Sequence, residues 1–330
     1  MINKKKLIIP YIIAEIGSNN NGSLNLAKIL IKNAKKAKCD AVKFQSWDES
    51  LYDLKNLSTN EIKNIKKLIV NFNELKNLRN YAKKLKIDFG TSVFNEIQLK
   101  QAININCDFI KIASMDSNNY PFLQKCVKIK KPLIISTGFC TINEIKKIIN
   151  IVKKSKKKNV YFLHCVSVYP PSLNKLNLKN INLLKKITKN IVGFSDHSIG
   201  TLASTLATSL GAEIIEKHFT FNKSAKGADH SISSDYFEMK KLVQDCKNVQ
   251  KIFGSSKRIL SKTEIKNGKK MRRSIFSKVD ISKNEIISLN HLSLHRPGTG
   301  LKPKDINKII NKKAKKKIKA GNLIDLKMIS

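Results

Sequence analysis

Eight short apolar runs punctuate the first 220 residues: Leu7–Ile16, Ala41–Trp47, Ile87–Phe94, Phe109–Ser114, Leu133–Gly138, Val160–Val166, Ile191–His197 and Ala212–Thr220. They are continuous and do not alternate with polar residues, which is the pattern of strands buried on both faces. The segments between them read as helices. From Ser23 to Lys38, Ala27, Leu30, Ala34 and Ala37 share one face, while Lys28, Lys32, Lys35 and Lys36 fall largely elsewhere. Thr141 and Glu144 form a capping-box pattern ahead of a helix to Lys154, and a helix over Asp235–Phe253 stops at Gly254. Eight such units closing on themselves predict an α/β chain with a (β/α)8 TIM barrel over residues 1–255. A doubly wound sheet is the alternative, and it has no need of eight equivalent units.

A barrel carries its chemistry at the carboxyl ends of its strands. Those ends hold Glu15, Lys43, Gln45, Ser92, Lys111, Ser114, Ser136, Thr137, His164, Ser195-Asp196-His197 and Lys217-His218. His197 and His218 end adjacent strands, next to Glu216, so both imidazoles are expected on one rim. Two imidazoles with few other protein ligands suit Zn, Mn, Co or Fe and leave positions for water and substrate. Lys43 and Lys111 lie inside apolar runs, where an ammonium is costly unless it meets a negative partner. That partner is a rim carboxylate or an incoming anion. With the hydroxyls around them, the two lysines point to a phosphorylated or carboxylated ligand.

The chain has 64 Lys and Arg against 24 Asp and Glu, a net charge of +40. Only five are arginines: Arg79, Arg258, Arg272, Arg273 and Arg296. The lysines are scattered along helices without an aromatic-interleaved basic motif, which argues against a specific nucleic-acid partner. The general positive field still draws anionic substrates. Six dispersed cysteines without a Cys-x-x-Cys pair read as reduced thiols of a cytoplasmic protein. Met1–Ile16 superficially resembles a signal peptide, but Pro10 breaks it and it runs into Glu15, so a strand is expected there. No apolar run approaches the length of a membrane span.

After Gly254 the sequence changes character. Residues 256–270 read as a polar, basic linker, and residues 271–330 as a small β-rich domain. This domain contains a repeat: Asp280–Leu292 aligns without gaps on Lys317–Ile329. Each copy has a turn centred on Asn284 or Gly321, residues that tolerate positive φ. Two such half-motifs predict pseudo-twofold packing. Between them, the loop His295–Gly300 carries Arg296, which is either a surface residue or a bidentate carboxylate ligand.

Taken in order, Ala14–Gly22, Ala41–Gln45, Phe109–Ser114, Ile135–Gly138, Leu163–Pro170, Gly193–His197, Ile215–Thr220, Arg272–Ser274 and Arg296–Gly298 resemble the bacterial sialic acid synthase family. These enzymes make nonulosonic acids of the N-acetylneuraminic, legionaminic and pseudaminic type. The resemblance implies a TIM barrel followed by an antifreeze-like (SAF) domain in a domain-swapped homodimer. The implied reaction condenses phosphoenolpyruvate with an open-chain N-acyl hexosamine and releases phosphate. It implies a divalent metal, Mn2+ with Mg2+ or Co2+ as alternatives, on His197 and His218. Lys43, Lys111, Ser92, Ser114, Ser136 and Ser195 are implied to hold phosphoenolpyruvate. Glu15 is implied in proton transfer or water orientation, and Gln45, Tyr169 and Asp229 at sugar hydroxyls. Arg296 is implied to reach the sugar's acyl group from the partner's small domain. Asn20 stands where many members have His. The Lys/Asn-rich segment Asp48–Asn73 is expected over the rim, tuning sugar choice. Another metal-dependent phosphoenolpyruvate–aldose condensing enzyme, or an aldolase on the same barrel, is the competing reading.

Overall fold

A computed structural model describes residues 10–227 and 229–330. Eight parallel strands form a closed barrel in chain order: β1 (Tyr11–Glu15), β2 (Ala41–Gln45), β3 (Asp88–Ser92), β4 (Phe109–Ile112), β5 (Leu133–Ser136), β6 (Val160–Cys165), β7 (Val192–Asp196) and β8 (Ile214–His218). Each lies within one of the eight apolar runs. The first run was expected from Leu7, and residues 7–9 lie outside the described residues. The helices of this unit are α1 (Leu24–Lys36), α2 (Thr59–Leu68), α3 (Phe72–Lys84), α4 (Glu96–Asn104), α5 (Tyr120–Cys126), α6 (Ile142–Lys154), α7 (Asn180–Thr188), α8 (Leu202–Ser209) and α9 (Tyr236–Phe253). The capping box of Thr141 and Glu144 opens α6, and Asp235 with Glu238 opens α9 in the same way. None of these helices, nor any other among the described residues, is long and apolar enough to cross a membrane.

Strand alternation divides the barrel into two cores. Ile12, Val42, Phe44, Phe89, Ile110, Phe162 and Phe194 face the helices and pack with Leu30, Leu78, Ile148 and Leu242. The lower interior holds Tyr11, Ile13, Ala41, Phe109, Ile134, Tyr161, Leu163 and Ile214. Gly90 makes room there, since a Cβ at that position would lie 2.2 Å from the Phe109 ring. Two residues further along, the same inward face carries Glu15, Lys43, Ser92, Lys111, Ser136, Cys165, Ser195 and Glu216. β1 pairs with β2 so that Glu15 meets Lys43, and with β8 so that Glu15 meets His218. Ser92 pairs with Lys111, and Ser195 with Glu216. The interior thus has an apolar floor and an ionic layer above it, at the rim where loops leave the strands.

Residues 255–330 form a second compact unit. The stretch expected as a linker contains a helix, α10 (Lys262–Met271), with Ser261 at its N-cap. It buries no residue, so its composition looks like that of a tether. β9 (Ser274–Ser277) pairs antiparallel with β10 (Leu292–His295). The repeat is a structural twofold. Ile281 and Ile318 are equivalent in the two copies and exchange both backbone hydrogen bonds, each 2.9 Å. The bridge Ile286–Lys313 maps onto Leu323–Phe276, and Ser277–Leu292 maps onto Ala314–Ile329. Asn284 and Gly321 have φ of 67° and 80°, and their N–H groups bond the carbonyls of Ala314 and Ser277. Ile281, Ile287, Leu292, Ile318, Ile324 and Ile329 fill a common core.

Candidate active site

The ionic layer lies under a cavity of about 340 Å³. Twelve of the thirteen expected site residues line it: Glu15, Lys43, Gln45, Ser92, Lys111, Ser114, Ser136, Tyr169, Ser195, His197, His218 and Asp229. The thirteenth, Arg296, is exposed on the second unit.

The layer is built from two carboxylates and two ammonium groups, all buried. Lys43 Nζ stands 2.6 Å from Glu15 Oε2, 2.8 Å from Ser92 Oγ and 3.9 Å from Glu216 Oε2. Lys111 Nζ stands 3.3 Å from Glu216 Oε1, which also accepts from Ser195 Oγ at 3.0 Å. Gln45 Nε2 donates to Glu15 Oε1 at 2.8 Å. The lysines are therefore unequal. Burial depresses both, but Lys43 has two carboxylates and ends above its ordinary value. Lys111 forms its one ion pair among the described residues with Glu216, burial prevails, and it ends below. Burial works to raise Glu216, yet Lys111, Lys43 and the Ser195 hydroxyl hold it at about 2. Burial lifts Glu15 above the usual carboxylate range despite the opposing pull of Lys43. Lys111 is the undercompensated cation, and its charge is open to an incoming anion. Ser136 Oγ lacks a hydrogen-bond partner among the described residues, as befits a group awaiting a ligand.

One wall of the cavity carries the imidazoles. The His197 and His218 ring centroids are 5.4 Å apart, with Tyr169 4.2 Å and 6.3 Å from them. His197 turns Nδ1 to the Val166 carbonyl at 3.2 Å, with Cys165 Sγ at 3.7 Å. His218 Nδ1 is buried without a hydrogen-bond partner among the described residues, and Asp229 Oδ2 is 3.6 Å from it. Burial lowers the His218 pKa and favours the neutral, metal-binding form. No group of three or more His, Cys, Asp or Glu among the described residues converges on one point. His197 and His218 are the residues that could hold an ion here, through the unpartnered nitrogen of His218 and the free edge of His197, with its other positions left to water and substrate.

Alternation sorts the residues at the strand ends into those that face the cavity and those that do not. Asp196, Lys217 and His164 turn to the helix layer. Asp196 accepts from Ser204 of α8 at 2.7 Å and pairs with Lys217 at 3.2 Å. His164 stacks on Phe194 and bonds the Leu176 carbonyl at 2.7 Å. The same rule identifies the group that was passed over. Glu216 sits two residues before His218, so it faces inward and bridges both lysines. Cys165 lines the cavity for the same reason. Leu51 and Tyr52, from the 48–73 segment, also line it.

His164 carries a pH prediction. Burial lowers its folded pKa below the ordinary 6.5. The unfolded chain therefore takes up a proton first, and stability is lost as pH falls below about 6.5. Between pH 7.5 and 5.5 this costs at most about 1.4 kcal/mol, the linkage limit for one pH unit below 6.5. Thermal melts of His164→Gln should show a correspondingly smaller loss over that interval than the parent; an equal loss places the acid sensitivity elsewhere.

The NeuB family model matches residues 30–258, and the SAF domain model matches residues 272–330. The N,N'-diacetyllegionaminic acid synthase of Legionella pneumophila is 37% identical, across 95% of this chain and 93% of its own. The N-acetylneuraminate-9-phosphate synthase of Homo sapiens is 32% identical, across 92% of this chain and 88% of its own. The crystal structure of an N-acetylneuraminic acid (sialic acid) synthetase from Leptospira borgpetersenii, in complex with citrate, superposes with a TM-score of 0.72 at 34% identity, covering 79% of this chain and 90% of that one. By the family model and by these relatives alike, the chain belongs to the NeuB family and carries a SAF domain after its barrel.

Proposed function

We propose that the protein is a nonulosonic acid synthase that condenses phosphoenolpyruvate with an open-chain N-acyl hexosamine, yielding a sialic-acid-type sugar and inorganic phosphate. The observation that carries the reading is the undercompensated buried Lys111, which lines the same cavity as the unpartnered Ser136 hydroxyl and the two imidazoles. The names of the relatives supply the class of product. The acceptor is N-acetylmannosamine or a diacetamido-trideoxyhexose.

Lys111 and Lys43, with Ser92, Ser114, Ser136 and Ser195, receive the carboxylate and phosphate of phosphoenolpyruvate. Gln45, Tyr169 and Asp229 orient the sugar hydroxyls. Carbon 3 of phosphoenolpyruvate forms the new bond to the aldehyde carbon, whose oxygen takes a proton. Water adds at carbon 2 and gives up a proton, and the C–O bond to phosphate breaks. Glu15 is the residue that moves a proton between the water and the new hydroxyl, since its raised carboxyl can both take and return it. A divalent ion on His197 and His218, Mn2+ with Mg2+ or Co2+ as alternatives, supplies Lewis-acid polarisation of the aldehyde oxygen when bound. In a homodimer with exchanged small domains, Arg296 of the partner subunit meets the sugar's acyl group, a proposal supported by its exposure and by the family resemblance.

The test is phosphate release from phosphoenolpyruvate with Mn2+, with and without N-acetylmannosamine and the diacetamido-trideoxy sugars of manno and altro configuration. Release that depends on one sugar supports the reaction and names the acceptor. Release without sugar, or none with any of them, rejects it.

A further inference from the structure

Ten residues other than glycine have positive φ among the described residues. Five are asparagines, which tolerate that conformation. Four are lysines, Lys38, Lys86, Lys156 and Lys189, each one or two residues beyond the end of α1, α3, α6 or α7, where a left-handed residue ends the helix. The tenth is Phe139, with φ of 59°. It follows β5 in a tight turn closed by the Cys140 N–H on the Thr137 carbonyl at 3.3 Å. A positive-φ third position in such a turn normally takes Gly or Asn. Here the glycine comes one place early. Crowding holds it there, because a Cβ on Gly138 would lie 2.2 Å from Ser167 Oγ and 2.6 Å from Ser114 Oγ. The turn therefore carries a phenylalanine in the conformation that L-residues avoid, and that side chain is 74% exposed. Strain and exposure both count against folding, with no packing in return. Such residues persist where a ligand uses them.

The surroundings indicate the ligand's chemistry. Phe139 lines the active cavity together with Trp47, Tyr52, Phe94 and Met115, an apolar wall facing the ionic layer. Met115 is also 52% exposed. Phe139 further lines a second cavity of about 450 Å³ with Ile142, Ile145 and Leu183, which shares Cys165 and Ser167 with the first. Its ring stands where the two meet and offers a flat apolar face without a donor or acceptor.

We infer that Phe139 is a specificity-determining residue: with Met115 it packs against the apolar substituents of the acceptor sugar, a 6-deoxy methyl and a second acylamido methyl. The inference rests on the proposed function and chooses between its acceptors. A hydroxyl set against the Phe139 ring and the Met115 side chain loses water without gaining a donor. A methyl group gains contact there, and a difference of one such group is worth about 10- to 200-fold in kcat/KM. The protein prefers a diacylamino-trideoxyhexose over N-acetylmannosamine.

The experiment compares the parent with Phe139→Gly and Phe139→Ala. It measures kcat/KM for both sugars, KM for phosphoenolpyruvate, Tm, and sugar binding by fluorescence of Trp47, the chain's single tryptophan, which lines the same wall. The parent should favour the diacetamido-trideoxy sugar by at least about 10-fold. Phe139→Gly should lose about 10-fold or more for that sugar and less than about 3-fold for N-acetylmannosamine. KM for phosphoenolpyruvate should hold, and Tm should rise as the left-handed strain is relieved. An unchanged preference, or equal losses for both sugars, overturns the inference. Sugar binding with the expected preference but no turnover in the parent rejects the reaction and leaves Phe139 as the selective contact. A parent that binds neither sugar overturns both.

Discussion

Glu216→Gln should lower Tm by about 10 °C and turnover by more than about 100-fold. Glu216 is buried and stands 3.3 Å from Lys111 and 3.9 Å from Lys43. Gln preserves its shape and the contact with Ser195 but removes a negative charge shared by two buried ammonium groups. Breaking a buried pair in this way costs about 3–5 kcal/mol, because the remaining charge has neither water nor partner. In a domain of this size each kcal/mol moves Tm by about 2–4 °C. The effect has a pH signature. The folded carboxyl is held at about 2 against an ordinary 4.5, so its contribution is complete above 4.5 and is lost as pH falls through about 2. The gap between parent and variant should close over that window. Saturating phosphoenolpyruvate should narrow it at neutral pH by supplying the missing negative charge. Thermal melts with and without the ligand are the measurement. A variant within about 2 °C of the parent at pH 7 would show that the two lysines do not depend on this carboxylate.

His197→Ala should abolish sugar-dependent phosphate release and weaken Mn2+ binding by more than about 100-fold, with Tm little changed. Loss of an outer-shell partner alone costs about 10- to 100-fold in metal affinity, so loss of a ligand exceeds that. The fold should tolerate the change because the His197 ring lines the cavity and its contacts there are with Tyr169, His218, Cys165 and the Val166 carbonyl, with no ion pair to leave broken. His164→Gln is the matched control. It also changes a histidine near the end of a barrel strand, but one that faces the helix layer. Calorimetric Mn2+ titration should separate the two variants. Equal Mn2+ affinity in His197→Ala and the parent would remove the metal from this pair.

Much of this architecture could be read from the chain because burial on both faces leaves unbroken apolar runs. The runs located the strand ends, and with them the cavity residues that sit on strands; Tyr169 and Asp229, in the loops beyond, came only from the family resemblance. What they did not show is which way each side chain turns. Asp196, Lys217 and His164 looked like rim groups until the register placed them outside, and Glu216 lay one residue from Lys217 yet faced the opposite way. Phe139 was unreadable for another reason. Its significance lies in a backbone angle, and no pattern of residue types reports a phenylalanine at positive φ. The helix α10 was hidden by composition, since a helix with no buried face carries the polar sequence of a linker.

The twofold in the second unit bears on how that unit is assembled. Because Ile281 pairs with its own counterpart Ile318, each half ends in an edge whose natural complement is another copy of itself. Chain continuity keeps that complement at an effective concentration on the order of millimolar, so closure within one molecule outcompetes closure between two. A half released alone, by an early stop or a cut in the connector at residues 293–311, would find its complement only in a second chain. The connector has no twin in the repeat, so Arg296 occurs once for every two copies of the frame that carries it.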